Sequence, residues 1–424
     1  MKKHKAQLYD KIQNVIGNYN DRMVRGVFQY NFDIDVDIIR DILLDFSDSS
    51  PIMRSSFQQN FFAHYWVERT FKEEDILLVS YTDNPYEEAL KFICNVLPID
   101  GNIQLKIAIF KNNRMTQSVI AVLTNHMYMD GGDLKYFMKM LCKAYNCSLD
   151  KNNITLKSGS RSYKTVYEDM NKKIRKKAKL LYSNPTPKNT KQFGLSDDSD
   201  SDYSFIITEN ISSEYFSRIK KYGKKYNATL NDIILSAYFF SLVKLCNIDL
   251  GEEVTISGAI DLRRYMSDSS KTGITNHSSY LPYTIKIPGN DFESIFKEVL
   301  QETIKYKADS FTGLYGLPLL NFAYTVFPAF IADKLVKKFY NNPYLAMSNI
   351  GILQEDSYSI GKNTPDKAFI TGTVKYKPGI MVTVTTYKDE ITLSMCGKGN
   401  DIDKERLSSL LVSIKETLIN LNIF

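Results

Sequence analysis

Three local patterns follow one another between Gln117 and Cys142. Residues 119–123, Val-Ile-Ala-Val-Leu, form a short apolar run rich in β-branched side chains, the pattern of a strand buried on both faces. Leu134, Phe137, Met138 and Leu141 then recur at helical spacing. A polar turn separates them, holding His126, Asp130, Gly131 and Gly132. A strand that ends in such a turn and feeds a helix presents side chains to a ligand. The glycines allow a tight turn and close approach. His126 and Asp130, four residues apart, are the first candidate functional pair.

The chain has 424 residues, which predicts two or three domains at roughly 150 residues each. With 43% hydrophobic and 12% aromatic residues it has enough apolar material for real cores, which excludes global disorder. The net charge of +6 is mild, and no aromatic-interleaved basic stripe argues for nucleic acid. The five cysteines are scattered and include no C-x-x-C pair, so neither a disulfide framework nor a zinc site is expected. Free thiols and a first segment without an apolar core after its lysines point to a cytoplasmic protein. The longest apolar stretch, residues 317–332, is broken by Pro318 and Pro328 and falls short of the roughly 20 residues of a membrane span.

In chain order, a strand is expected near residues 27–32 and a helix over 34–46, with Asp33, Asp35 and Asp37 crowding its start as caps. Further strands are expected at 61–66, 76–80 and 104–110, and a helix at 86–96. Asn112-Asn113 marks a hairpin into the His126 strand. Residues 146–162 are polar and irregular, and 163–182 form a basic helix or arm. Pro185, Pro187 and an acidic run at 196–202 place a linker at 184–202, between domains at 1–183 and 203–424. Asp198, Asp200 and Asp202 have the spacing of a calcium loop, but Tyr203 stands where its turn needs Gly, so no metal site is expected.

In the second half, Thr229 caps an apolar helix, opening it as Thr229-Leu230-Asn231-Asp232. A strand at 254–260 runs into Asp261-Leu262-Arg263-Arg264. Asn276-His277 precedes Leu281-Pro282, which makes His277 a second candidate base, although no Asp-Gly turn accompanies it. Residues 317–339 read as a helix pair. A strand from 344 ends in Ser348-Asn349-Ile350-Gly351, and a hairpin at 379–395 and a helix at 403–421 close the chain.

His126-x-x-x-Asp130-Gly131 resembles the signature of the chloramphenicol acetyltransferase-like acyltransferases, which include condensation domains of nonribosomal peptide synthesis and alcohol acyltransferases. The Pro51-x-x-Arg54, Thr229-Leu230-Asn231-Asp232, Asp261-Leu262-Arg263-Arg264 and Ser348-Asn349-x-Gly351 stretches look like further markers, in family order over nearly the whole chain. Condensation domains carry two adjacent histidines; here Asn125 takes the first position, a change the alcohol-acyltransferase branch tolerates better. The resemblance implies an α/β protein of the α+β type, with two similar lobes meeting in a V. Each lobe is a mixed sheet with helices, and a tunnel between them is entered by the two substrates from opposite faces.

It also implies His126 as general base, Asp130 as a structural carboxylate paired with Arg263, Gly131 as part of the turn, and Ser348 or Asn349 near the nascent oxyanion. The reaction implied is acyl transfer from acyl-CoA, or from a phosphopantetheinyl carrier-protein thioester, to the hydroxyl or amine of a small acceptor, with no bound cofactor. A carrier protein is the partner in the second case. The competing expectation is a silent binding module of the same fold, which Asn125 leaves open.

Overall fold

The computed structural model describes residues 1–148, 154–183, 191–197 and 201–421. Most of the expected linker, and Asp198 and Asp200 of the calcium-loop comparison, lie outside the described residues.

Two mixed sheets dominate. The first has five strands in the order Lys367–Thr371, Met23–Tyr30, Ser118–Asn125, Leu105–Lys111 and Leu77–Tyr81. Only its last pair is parallel. All eight residues of Ser118–Asn125, at its centre, are buried. Alternation splits them between two cores: Ile120 and Val122 pack with Phe28, Leu134 and Phe137, while Val119, Ala121 and Leu123 pack with Val27 and Phe92. Both faces are covered, so the run is uniformly apolar instead of alternating.

The second sheet has six strands, in the order Ser278–Lys286, Glu253–Asp261, Leu345–Leu353, Ile380–Tyr387, Glu390–Gly399 and Tyr203–Ile211. Leu345–Leu353 runs parallel to both of its neighbours. Its core centres on the helix Leu230–Cys246, buried from Asp232 to Val243. The helix starts as the sequence predicts: the Asp232 amide donates to the Thr229 side chain, and the Thr229 amide donates to the Asp232 carboxylate at 2.8 Å. A three-stranded sheet of Lys3–Lys5, His64–Glu68 and Ser55–Gln59 flanks the first lobe.

The expected two-lobed α/β architecture is borne out, with one departure. Lys367–Thr371 follows the second lobe's strands in sequence but pairs with Met23–Tyr30 of the first, Ile370 opposite Gly26. A single cut at 184–202 therefore does not separate the two sheets. Asp35 caps the helix Val36–Ser49, while Asp33 pairs with Lys111 at 2.7 Å. The basic segment is divided into a short turn, Tyr163–Tyr167, and a short helix, Lys172–Ala178.

Candidate active site

The polar turn lies at the inner end of Ser118–Asn125, where the helix Gly131–Ser148 starts. Asn125 shapes it: its side-chain oxygen accepts from the Met127 amide at 3.0 Å, and its carbonyl accepts from Tyr128 at 2.8 Å and Met129 at 3.2 Å. The His126 amide donates to the Arg22 carbonyl at 2.6 Å. Asn125 is fully buried. It is thus a turn former. Every residue from Ser118 to Asp130 is buried except His126.

Asp130 anchors the other end of the turn. One of its oxygens accepts from the Asp133 amide at 2.9 Å, capping the helix. The other accepts from Arg263 Nη1 at 2.9 Å and from the His277 amide at 2.7 Å. Burial alone would raise this carboxyl's pKa, but the Arg263 charge and these N–H donors hold it far below the usual carboxylate range. It stays ionised, which suits an anchor and not a base. Arg264 instead lies over the Tyr265 ring. Gly132 permits the ion pair, since a Cβ there would lie 3.0 Å from Arg263 Nη1.

The sequence did not single out Asp133 or Lys157, which complete this network. Buried Asp133 bonds Arg263 Nη2 at 3.0 Å, Lys157 Nζ at 2.6 Å and the Thr275 amide at 2.7 Å. Two buried carboxylates thus meet two cations, as burial requires. Arg161 adds a second clamp, reaching Asp10 at 2.9 Å, the Met127 carbonyl at 2.9 Å and the Ile274 carbonyl at 2.8 Å. Lys157 and Arg161 belong to the stretch read as irregular, and their only signal was charge.

Asn276 is the direct partner of His126, with its amide nitrogen 3.0 Å from Nδ1 and 3.4 Å from the His126 carbonyl. The Asn276 side-chain oxygen accepts from the Ser278 amide at 2.8 Å and the Ser278 hydroxyl at 2.6 Å, which fixes which end of the amide faces His126. Burial lowers the imidazole pKa from its ordinary 6.5, while the Asp130 charge opposes this. His277, the rival base, is fully buried, its ring nitrogens have no hydrogen-bond partner among the described residues, and burial drives its pKa down to about 3.

A Cβ on Gly131 would lie 2.8 Å from Ile350 Cδ1, so the Ser348-Asn349-Ile350-Gly351 segment lies against the start of the helix. A bulge at Asn349–Gly351, with Gly351 at φ 77°, turns the strand there. The Asn349 amide donates to Asn231 at 3.1 Å, joining two of the sequence markers. Among the described residues no hydrogen bond links Ser348 or Asn349 to His126.

Behind Asn276 lies a cavity of about 810 Å³, mainly hydrocarbon-walled, bounded by Tyr9, Ser278, Tyr280, Leu320 and Phe322 among others. His126 is not in its wall, and the connection runs through Asn276 to Ser278. The expected helix pair, Leu317–Val326 and Ala329–Phe339, covers it. Among the described residues no group of three or more His, Cys, Asp or Glu is placed to hold a metal ion.

No family model matches the chain, and no curated protein matches it by sequence. Solved structures do match. The first condensation domain of the CDA synthetase aligns with TM-score 0.68 at 11% identity, covering 99% of this chain and 97% of that one. The epimerization domain from the third module of tyrocidine synthetase B gives 0.67 at 13%, covering 99% and 95%. Trichothecene 15-O-acetyltransferase from Fusarium sporotrichioides gives 0.66 at 11%, covering 98% and 95%. The chain has the fold that these proteins share.

Proposed function

We propose that this protein is an acyltransferase that moves an acyl group from a thioester to the hydroxyl or amine of a small acceptor, with His126 as general base. The observation that carries this reading is the presentation of His126: half-buried, the one residue of its strand and turn that is not fully enclosed, on a loop held by the Asp130–Arg263 ion pair. Similarity of fold to condensation domains and an acetyltransferase supports it.

A neutral imidazole has one free lone pair. The Asn276 amide donates to Nδ1 and so places the ring proton on Nε2. In this reading the proton moves to Nδ1, where the His126 carbonyl can accept it, before Nε2 acts as the open base. Nε2 takes the proton of the acceptor as its oxygen or nitrogen attacks the thioester carbonyl. The tetrahedral intermediate collapses, the C–S bond breaks, and the thiolate recovers the proton from Nε2. The acyl group passes directly between substrates, so no nucleophilic side chain is required. Acyl-CoA is the donor in this reading, and a phosphopantetheinyl carrier protein the variant that offers the same thioester arm.

Thiol release from a panel of acyl-CoAs, with mixed alcohols and amines as acceptors, tests it. The wild type should release thiol only when an acceptor is present, and His126→Ala should fall by about 10² or more. Equal activity in the variant would remove His126 from the mechanism. Release from carrier-bound donors alone would identify a condensation-type enzyme. Thioester binding without release from either donor would identify a silent binding module.

A further inference from the structure

The outer side of the helix pair Leu317–Val326 and Ala329–Phe339 is unlike the rest of the surface. Scattered exposed apolar residues are ordinary, whereas a contiguous cluster of them marks an interaction site. Among the described residues every exposed phenylalanine belongs to this face: Phe322, Phe327, Phe330 and Phe339 on the pair, and Phe61 and Phe62 on the adjoining loop. The loop is fastened to the helices. The Ala329 and Phe330 amides donate to the Phe62 and Phe61 carbonyls, both at 3.2 Å, and the Phe61 ring stacks on Phe330 with centroids 5.7 Å apart.

Charge on this face has one sign. Lys334 lies over the Phe330 ring at 4.2 Å, Lys338 near Phe339 at 5.9 Å, and Lys337 bonds Asn18 at 2.9 Å. Between 317 and 340 the sole acidic residue, Asp333, is occupied by His64 and Tyr324, each at 2.8 Å. Aromatic side chains beneath a cationic rim match the boundary between acyl chains and anionic headgroups. A second copy of the chain suits the face poorly, since a two-fold contact would set the lysines of both copies together.

The cavity opens on this same side, because Phe322, Phe327 and Phe339 are exposed and also line it. No single helix among the described residues is long and apolar enough to cross a membrane, and Leu317–Val326 has ten residues. Such a helix fits the plane of an interface.

We propose that the Phe61–Phe62 loop and the paired helices Leu317–Val326 and Ala329–Phe339 form a docking surface for an anionic lipid bilayer, which places the cavity mouth against the acyl chains. This surface is separate from the chemistry at His126, so it stands or falls by binding alone.

Flotation of the full chain with vesicles tests it, using phosphatidylcholine with and without phosphatidylglycerol. The wild type should float with the anionic vesicles and be released by high salt. Lys334→Glu/Lys338→Glu should weaken binding by at least about 25-fold, from about fivefold per basic residue. Phe322→Asp/Phe330→Asp should abolish it, while Leu250→Asp, an exposed apolar residue elsewhere, should float as the wild type does. Far-UV circular dichroism shows that each variant is folded. The proposal is overturned if the wild type stays unbound, or if the folded phenylalanine variant floats equally well. It is also overturned if sedimentation velocity shows a wild-type dimer that Phe322→Asp/Phe330→Asp dissociates, which would assign the face to self-association.

Discussion

Arg263 Nη1 stands 2.9 Å from the Asp130 carboxylate across 133 residues of sequence, and the same guanidinium holds Asp133 at 3.0 Å. Removing Arg263 leaves the buried Asp130 carboxylate without its cation, at a cost of roughly 3–5 kcal/mol, whereas removing Asp130 leaves Arg263 still paired with Asp133 and Asp261. Arg263→Gln should lower unfolding free energy by about that much in urea titrations, and Asp130→Asn by less. The double variant should cost clearly less than the sum. Additive losses would show that the two side chains do not act as one unit.

The pH dependence of kcat/KM reports the free base. Burial lowers the His126 pKa, and a base must be unprotonated to work. Activity should therefore rise with pH through a midpoint below the ordinary 6.5 and stay level above it. A midpoint at or above 6.5 would place the titrating group elsewhere or show that the partial burial of His126 does not lower its pKa.

The turn around His126 was legible because its determinants are local: strand, polar turn and helix leave their own periodicities within twenty-six residues, 117–142. The Asp130–Arg263 pair was legible only through resemblance, since no local rule joins residues so far apart. In the sequence Asn276 is only the neighbour of His277 ahead of Leu281-Pro282. Its role arises where the loop before Ser278–Lys286 meets the His126 turn, a tertiary contact without a sequence period. Lys157 and Asp133 were hidden for the same reason. The strand Lys367–Thr371 escaped notice because five residues carry little pattern, and its partner, Met23–Tyr30, lies over three hundred residues earlier.

Asn276 offers a direct handle on the base. Replacing its amide by a carboxylate puts a negative charge against Nδ1, where the amide nitrogen now lies at 3.0 Å. Asn276→Asp should raise the His126 pKa and move the acid limb of kcat/KM upward by about 1–3 units, the range for an opposite charge at this distance. An unmoved limb in a folded variant would mean that Asn276 does not govern the ring.

His277 should govern acid stability instead of rate. Its imidazole pKa is pushed down to about 3 by burial, aided by the nearby Arg263 charge. Unfolded, it titrates near 6.5. Above 6.5 neither state binds this proton, and the histidine has no effect on the pH dependence. As pH falls from 6.5 towards 3, the unfolded chain takes up a proton that the folded chain refuses, and stability is lost by up to about 1.4 kcal/mol per pH unit. Phenylalanine has nearly the same shape, keeps the edge contact with Tyr9 at 6.1 Å, and breaks no ring hydrogen bond among the described residues. Unfolding free energies for wild type and His277→Phe, taken from urea titrations between pH 4 and 7, should diverge as the pH falls, with the variant losing less. Parallel curves would show that the buried imidazole accepts a proton as readily as a free one.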